Sequence, residues 1–364
     1  MVLMALDHTA YFIAKIGPHE VFSLPLPDYP NAAAFLTRYV THLVAPGFSF
    51  FLGAGIALFV AARLRQSWAH KLISQSLIVR GLILILLEQL LDNPPWIIGE
   101  LNADIPIEDY RTETLPHPES AVWLHFGVLF ELGAGLIIWG ILLQLGTPLV
   151  LMLSVATILA SYVLTINADP QVSAPAWRLL FVPGNAGIIG TGWPILPWVA
   201  ISGFGLAFGR LLLDDETRAM RLALTFGIAL ILLFVCLRAI GLGDPHPLLG
   251  TGWIDFLRVT KYPPSPAFIA LTVGGNLLLL CGFHRAIAVG IKVELFLTFG
   301  QAALFFYIVH TWMYMLVGLA FPRGVGFFWI YPIWLLGLVA LYPLCRRYSD
   351  FKWSKPVESL WRMG

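Results

Sequence analysis

Charged residues are scarce in this chain. Lys, Arg, Asp and Glu make up 12% of its 364 residues, whereas 58% of the residues are hydrophobic. Soluble globular domains carry about 25% charged and about 45–50% apolar residues. The deficit of charge therefore excludes a soluble domain. Many of the apolar runs reach about 20 residues, which is enough to cross a hydrocarbon core of about 30 Å.

Cysteines and familiar catalytic motifs are also few. Cys236, Cys281 and Cys345 lie within or at the end of apolar runs, without metal-ligand spacing, so we interpret them as packing residues and expect no metal. The chain lacks a nucleophile elbow, an HExxH motif, a P-loop and a dinucleotide fingerprint, and it has no evident cleavable signal peptide. The net charge of +1 gives no indication of a nucleic-acid partner.

The apolar segments predict one all-α domain over residues 1–364, a polytopic transmembrane helix bundle of about ten spans. Gly53 and Gly55 in the second segment allow close helix packing. The first segment would rise only about 21 Å as a helix. It is either a tilted partial span or the end of a natural helix that begins before residue 1, and we favour the second. The predicted spans are 1–14, 40–62, 72–91, 121–144, 147–166, 192–213, 220–240, 265–283, 294–319 and 326–345.

Basic residues are distributed unevenly over the predicted loops. They cluster at one end of the bundle, in 63–71, 210–221, 285–292 and 346–362, whereas the loop 92–120 at the other end is acidic. Because basic loops stay in the cytoplasm, we expect both termini there, which an even number of spans permits. This bias, together with the scarcity of cysteine, favours a bacterial inner membrane.

Asp7 and His8 interrupt the first apolar segment. A charge near the centre of a bilayer costs at least about 2.5–3.5 kcal/mol, so both side chains should face protein or water. Histidine is the side chain most easily poised near neutral pH. His8, oriented by Asp7, is therefore a candidate general base. The alternative is a pair that only hydrogen-bonds to neighbouring helices.

Other ionisable residues also fall within the predicted spans. Arg80 lies about 12 Å from the basic end of its segment, and Glu88 is too far along the same helix to meet it. Arg80 therefore either contacts an anionic ligand or pairs with a carboxylate, for which Glu131 is a candidate. His42 either lines an outer site or reaches lipid headgroups. His310 either lines the same site or is a core residue whose hydrogen-bonding groups are paired inside the protein.

The segment 257–265, LRVTKYPPS, is expected at the outer face, just before a span. Pro263 and Pro264 stiffen it, and Arg258 and Lys261 supply two cations. Two cations on a stiff turn can bind an anionic or sugar substrate, but they can also bind lipid headgroups, and the sequence leaves both alternatives open.

Several segments resemble a family of membrane enzymes. They are VLMALDH (2–8), VTHLVAPGFSFFLG (40–53), VRGLILILLE (79–88), LRVTKYPPS (257–265) and LTFGQAALFFYIVH (297–310). On these segments the chain resembles bacterial membrane proteins related to heparan-alpha-glucosaminide N-acetyltransferase, within the wider group of transmembrane acyltransferases. The resemblance covers nearly the whole chain, and its most specific parts are residues 40–53 and 257–265.

The resemblance implies a reaction. Members of the family take an acetyl group from cytosolic acetyl-CoA and pass it to an acceptor on the far side, the amine of a terminal glucosamine in the known case. Related acyltransferases modify outer sugars of glycans. A histidine would take the acceptor's proton or carry the acetyl group itself. His8 matches the first-span histidine of related enzymes, and His19 lies near the position of an essential histidine.

The resemblance also implies binding sites for the two substrates. Acetyl-CoA would enter from the cytoplasm, and the acceptor would be a sugar or glycan on the outer side. Membrane lipids and a second copy of the chain are further expected partners. Arg80, Arg63, Arg65 and Arg210 are the expected acetyl-CoA residues. His42, Lys261, His310 and Arg258 are the expected acceptor residues, and His8, Asp7 and His19 the catalytic ones.

The chain departs from the family pattern at two places. An arginine-containing stretch that usually precedes VLMALDH is not found before residue 2, and Phe130 and Glu131 stand where many relatives have Gln and Arg. The alternative function is a transporter or flippase for a small anion or a lipid-linked sugar, with the same His and Arg residues coupled to protons. Transporters often contain internal repeats, and no clear repeat is found here.

Overall fold

The computed structural model describes residues 1–17, 20–105, 114–116, 121–169, 174–356 and 359–362, and most of them are helical. The longer helices of the first half are α1 (Val2–Ala14), α2 (Ala32–Thr41), α3 (Val44–Arg65), α4 (His70–Leu87), α5 (Asn93–Leu101), α6 (Val128–Ile141) and α7 (Thr147–Ile166). Those that follow are α8 (Pro175–Leu180), α9 (Ile195–Asp214), α10 (Glu216–Ala239), α11 (Trp253–Leu257), α12 (Pro266–Ala288), α13 (Glu294–Gln301), α14 (Ala303–Gly318) and α15 (Ile330–Trp353).

Among the described residues, seven helical stretches are long and apolar enough to cross a membrane, and α13 with α14 makes an eighth if this pair, bent by 89°, counts as one span. The chain is thus an integral membrane protein. Each of the ten predicted segments is helical, but α1 and α6 are only 13 and 14 residues long. The expectation of about ten full spans is therefore not confirmed.

Helices α3 and α9 approach each other closely. A Cβ atom added at Gly53 would collide with the carbonyl group of Ser202, and one added at Gly205 would collide with that of Phe50. Gly55, in contrast, has open space around it. Close packing at Gly53 is therefore confirmed, whereas the same prediction for Gly55 is wrong because its helix face meets no neighbour within 4 Å.

Three groups of buried apolar side chains hold the helices together. The first joins α1, α14 and α15 around Phe12, Phe306 and Tyr314. The second joins α3, α9 and α12, with Trp198 and Phe268 near its centre. The third lies between α3, α4, α6 and α9. Helix α3 contributes to the second and third groups, and it therefore links the two halves of the chain.

The fold was expected to be all-α, but the structure also contains a small sheet. It consists of β1 (Leu124–Phe126), β2 (Gly184–Ala186) and β3 (Ile189–Thr191) in the order β1-β3-β2. β1 pairs parallel to β3, and β2 pairs antiparallel to it. These three-residue strands lie in connecting segments outside the long helices, and hydropathy does not detect such short pairings. We call the end of the bundle that carries this sheet the cavity end, and the opposite end the basic end.

Replacing Gly53 with Ala should destabilise the protein by about 1–3 kcal/mol, because the added methyl group forces α3 and α9 apart. Gly55→Ala is the matched control on the same helix and should leave the thermal unfolding temperature in detergent unchanged. Equal unfolding temperatures for the two variants would show that the α3–α9 contact is looser than the structure indicates.

Candidate functional site

A cavity of about 250 Å³ lies at the cavity end, between α1, the start of α3, the end of α4 and the connecting segments. Its wall combines aromatic rings with an unusual number of ionisable groups. These groups are Asp7, His8, Arg38, Glu88, Asp92, His125 and Lys261. Small-molecule sites are typically concave, largely apolar and equipped with a few convergent polar groups. This cavity is therefore the candidate functional site.

His8 lies on α1 and lines the cavity. His310 of α14 forms a hydrogen bond with its ring. Nδ1 of His8 lies 2.8 Å from Nε2 of His310, and the two rings are stacked with their centroids 4.8 Å apart. The edge of Trp96 packs against the ring of His8 at 4.8 Å. His310 is fully buried and does not line the cavity. The structure thus brings together two histidines that are 302 residues apart in sequence.

The partners of the two rings fix the positions of their protons. Nδ1 of His310 lies 2.8 Å from the carbonyl oxygen of Phe306, which can only accept, so this nitrogen donates. In a neutral His310, Nε2 is then an acceptor, and Nδ1 of His8 must donate to it. Nε2 of His8 is left with a free lone pair. It has no hydrogen-bond partner among the described residues, and the ring lines the cavity.

Arg38 of α2 binds two carboxylates. Its Nε and one Nη donate to both oxygens of Glu20 at 2.7 and 2.6 Å, and the other Nη donates to Asp7 at 2.6 Å. The hydroxyl group of Thr41 also donates to Asp7, at 2.9 Å. Asp7 was expected to orient His8, but its hydrogen bonds go to α2 instead. The hydrogen-bond partner of Nδ1 of His8 is His310.

Glu20 also attaches the segment 257–265 to the site. Its carbonyl oxygen accepts hydrogen bonds from the backbone N–H groups of Lys261 and Tyr262, both at 3.0 Å. Lys261 is only 5% exposed and lines the cavity. Its ammonium group lies 5.3 Å from the ring of Trp193 and 5.0 Å from that of Tyr262. In the described part of the chain, no oxygen atom forms a hydrogen bond with this ammonium group.

Glu88 and Asp92 form a second polar wall, which the sequence did not predict. They lie at the two ends of a five-residue π-helical turn that follows α4. Glu88 accepts hydrogen bonds from the N–H groups of Gly127 and Phe130 at the start of α6. A carboxylate is favoured at a helix N-terminus because the backbone N–H groups there are unpaired. Irregular turns of this kind occur often at functional sites.

Asp92 connects this wall to the histidine pair. One of its oxygens accepts from the hydroxyl group of Tyr307 at 2.9 Å, and the other accepts from Nε1 of Trp96 at 3.2 Å. His125 of β1 lines the cavity beside Glu88, and Nδ1 of His125 lies 2.8 Å from the carbonyl oxygen of Thr114. Burial lowers the pKa of His125 to about 4. This imidazole is therefore neutral at physiological pH.

His42 and Arg258 lie outside the large cavity, in a smaller pocket behind Glu20. Nε2 of His42 is 3.8 Å from Glu20. Arg258 donates to the carbonyl oxygen of Pro27 and to Asp28, both at 3.2 Å. These side chains brace the connecting segments and do not face the cavity. His19, the third expected catalytic residue, lies outside the described residues.

The expected acetyl-CoA residues lie at the basic end, away from the cavity. The guanidinium groups of Arg80 and Arg63 each lie 4.8 Å from the ring of Phe59. Arg65 is exposed. Arg210 donates to the carbonyl oxygens of Leu143 and Leu145, just past the end of α6.

The proposed pairing of Arg80 with Glu131 is not found. Glu131 is fully buried, and its hydrogen-bonding partner is the hydroxyl group of Ser49 at 3.1 Å. Arg80 contacts the ring of Phe59 instead, and its Nε is buried without a hydrogen-bond partner. The two side chains are in different places because Glu131 belongs to the first turn of α6, next to the cavity end.

Sequence reasoning missed Arg38, Glu20, Asp92 and His125. The four-residue spacing of Glu88 and Asp92, ahead of two prolines, was an available signal, because residues four apart share one helix face. Arg38 and His125 gave no such signal, since they lie in predicted loops or at span ends. Within the described ranges, no group of three His, Cys, Asp or Glu side chains is placed to hold a metal ion.

Comparison with known proteins identifies a family for this chain. A family profile described as heparan-alpha-glucosaminide N-acetyltransferase, catalytic, matches residues 2–239. This match confirms the resemblance inferred from the sequence segments. A search among curated proteins gave no match. The matched range contains His8, Arg38 and Glu88, whereas Lys261 and His310 lie beyond its end.

The ion pair of Glu20 should make stability depend on pH. Burial alone would raise the pKa of Glu20, but the charge and hydrogen bonds of Arg38 outweigh this effect and hold the pKa well below its usual range. A carboxyl group with a lowered pKa stabilises the fold above its unfolded pKa, and this stabilisation is lost as the pH falls.

Replacing Glu20 with Gln should therefore cost about 3–5 kcal/mol at pH 7, because Arg38 loses a buried partner. The gap in unfolding temperature between wild type and this variant should narrow below about pH 4, where the unfolded carboxyl group becomes protonated. Asp214→Asn, a change at an exposed carboxylate, is the control and should show no gap. A gap for Glu20→Gln that stays constant down to pH 2 would contradict the ionic origin of the effect.

Proposed function

Because this chain belongs to the heparan-alpha-glucosaminide N-acetyltransferase catalytic family, we propose that it transfers an acetyl group from acetyl-CoA to an amine or hydroxyl group of a sugar. The observation that carries this proposal is the free Nε2 lone pair of His8, which faces a cavity large enough for part of a small ligand. A proton acceptor with a fixed tautomer is what nucleophilic attack by an amine or hydroxyl group requires.

His8 acts as the general base in this proposal. As the acceptor's nitrogen or oxygen attacks the thioester carbonyl, Nε2 of His8 takes its proton. The carbon–sulfur bond breaks, and the sulfur leaves as the thiolate of CoA, which takes up the proton. Nδ1 of His8 keeps donating to His310 throughout. The hydrogen bond from His310 to Phe306 holds the second ring in the tautomer that accepts this bond.

Asp7 has a different role from the one expected. Its charge lies beside His8 and stabilises the imidazolium form, while its hydrogen bonds attach α1 to α2. Asp7, Glu20, Arg38 and Lys261 together are electrically balanced, with two negative and two positive charges. The attraction between these opposite charges offsets the desolvation cost of burying them. His19 is kept as a second candidate base.

The acceptor sugar binds between Lys261 and the aromatic rings of Trp193 and Tyr262. Sugars present both polar hydroxyl groups and apolar C–H faces, and this wall offers an ammonium donor next to flat apolar surfaces. His310 contributes through His8, and His42 and Arg258 contribute by bracing the segments that carry Lys261 and Glu20.

Acetyl-CoA binds at the basic end, where the guanidinium groups of Arg80 and Arg63 lie against the ring of Phe59 and Arg65 is exposed. Phosphate groups match guanidinium donors well. The basic end is cytoplasmic by the positive-inside rule, so both chain ends are cytoplasmic and the cavity opens on the outer side of a bacterial inner membrane. The pantetheine arm of acetyl-CoA would extend from the basic end through the bundle, so that the thioester carbonyl reaches the acceptor beside His8.

His8→Ala should lower the rate of acetyl transfer by about 10²–10⁴-fold, because the general base is lost. The measurement is thiol release from acetyl-CoA by purified protein in detergent, in the presence of glucosamine. The unfolding temperature should change little, since His8 lines a cavity. Turnover at the wild-type rate would remove His8 from the mechanism.

His310 can be tested as a positioning residue by the same assay. His310→Leu should lower kcat while the KM for the sugar stays constant, and His310→Gln should recover part of the rate because its amide oxygen can still accept from His8. Equal rates for the Leu and Gln variants would contradict the orienting role.

A further inference from the structure

His125 is held in the cavity wall by hydrogen bonds at both its backbone and its ring. Its carbonyl oxygen accepts from the side-chain amides of Gln89 and Asn93, at 2.6 and 3.0 Å. Its Nδ1 lies 2.8 Å from the carbonyl oxygen of Thr114. Gln89 belongs to the π-helical turn after α4, and Asn93 begins α5. An irregular turn between two helices thus fixes a residue of the short strand β1, and the imidazole is oriented before a ligand enters.

The tautomer of His125 follows from its partner. A carbonyl oxygen can only accept a hydrogen bond, so Nδ1 carries a proton and donates to Thr114. Because burial lowers the pKa of His125 to about 4, the ring is neutral at pH 7. In a neutral imidazole with its proton on Nδ1, Nε2 is an acceptor. Nε2 of His125 can therefore take a hydrogen bond from a ligand, but it cannot donate one.

The edge of the ring that contains Cε1 and Nε2 lies beside two glycines of the cavity wall. A Cβ atom added at Gly127 would lie 3.2 Å from Nε2, and one added at Gly192 would lie 3.9 Å from Cε1. Both glycines line the cavity, as does His125 itself. Since neither glycine carries a Cβ atom, neither covers this edge, and Nε2 lies at the surface of the cavity.

The same edge adjoins the wall to which the acceptor sugar is assigned. Gly192 directly precedes Trp193, whose ring lies 5.3 Å from the ammonium group of Lys261. This wall therefore combines a flat aromatic ring, an ammonium donor and an imidazole acceptor. A sugar hydroxyl group can both donate and accept a hydrogen bond, and the C–H face of a sugar packs against aromatic rings. The three groups together match one sugar ring.

We infer that His125 determines specificity for the acceptor: its Nε2 accepts a hydrogen bond from a hydroxyl group of the sugar, beside the ring of Trp193. The inference rests on the proposed function and adds a residue that takes no part in proton transfer, which belongs to His8. A site built to bind a hydroxyl group discriminates against an analogue that lacks it, because the acceptor nitrogen then loses its partner.

The test is calorimetric titration of glucosamine and of its 3-, 4- and 6-deoxy analogues into the full-length protein. The titrations are made at pH 7 in a detergent without a sugar headgroup. Wild type should bind at least one of these analogues about tenfold more weakly than glucosamine, as expected for one lost hydrogen bond. This measurement needs no acetyl-CoA and is therefore independent of turnover.

Two substitutions at the same position separate contact with the sugar from a structural role. His125→Asn retains an amide N–H group for the carbonyl oxygen of Thr114, but it has no atom at the position of Nε2. The difference in affinity between glucosamine and the discriminated analogue should then fall to about twofold or less. His125→Gln places an amide group at the level of Nε2, so part of the difference should return. His70→Asn, which changes an exposed histidine at the basic end, is the control and should keep the wild-type difference.

Several results would overturn the inference. If His125→Asn discriminates against the same analogue as strongly as wild type, another group binds that hydroxyl. If wild type binds glucosamine and all its deoxy analogues equally, or binds none of them, the cavity has no such acceptor. If only the loss of the amine, in glucose, has an effect that depends on His125, then Nε2 binds the amine. The proposed function fails in a different way: the sugars bind with the expected discrimination, but no CoA thiol is released when acetyl-CoA is added.

Discussion

The ion network around Arg38 is the interaction on which the site depends. It joins α1 through Asp7, α2 through Arg38 itself and the first connecting segment through Glu20. The backbone of Glu20 in turn holds Lys261 beside the cavity. Since breaking a buried charge pair costs several kcal/mol, these elements are held in one arrangement. His8, one residue after Asp7, is consequently fixed relative to the wall that would bind an acceptor.

The second organising feature is the chain of hydrogen bonds that fixes which ring nitrogens of His8 and His310 carry protons. A backbone carbonyl group fixes His310, and His310 fixes His8, so the free lone pair points into the cavity. In this arrangement the hydrogen-bond partner of His8 is a histidine, and Asp7 pairs with Arg38. Across the cavity, Asp92 receives hydrogen bonds from Tyr307 and Trp96, the same two residues whose rings face His8. His8 and the carboxylate wall are thus parts of one continuous packing unit.

Composition and periodicity were sufficient to predict the membrane bundle, because burial in lipid requires long apolar helices and leaves a strong signal. His8 and Arg80 were identified because a charged or polar residue in an apolar run is unusual, and Lys261 because it stands with Arg258 on a stiff turn just before a span. Residues such as Arg38 and His125 were missed, since their partners come from distant segments and no local pattern reports them. The pairing of Asp7 with His8 was expected from adjacency in sequence, but adjacent residues on a helix point in different directions. The three-stranded sheet was too short to leave a pattern.

The central claim is that an acetyl group crosses the bundle from a donor on one side to a sugar on the other. It is tested most directly in proteoliposomes that enclose glucosamine, with labelled acetyl-CoA added outside. We expect labelled N-acetylglucosamine inside the vesicles and an equal amount of free CoA thiol outside. Movement of unmodified glucosamine across the bilayer, without thiol release, would contradict the transferase function and support a transporter.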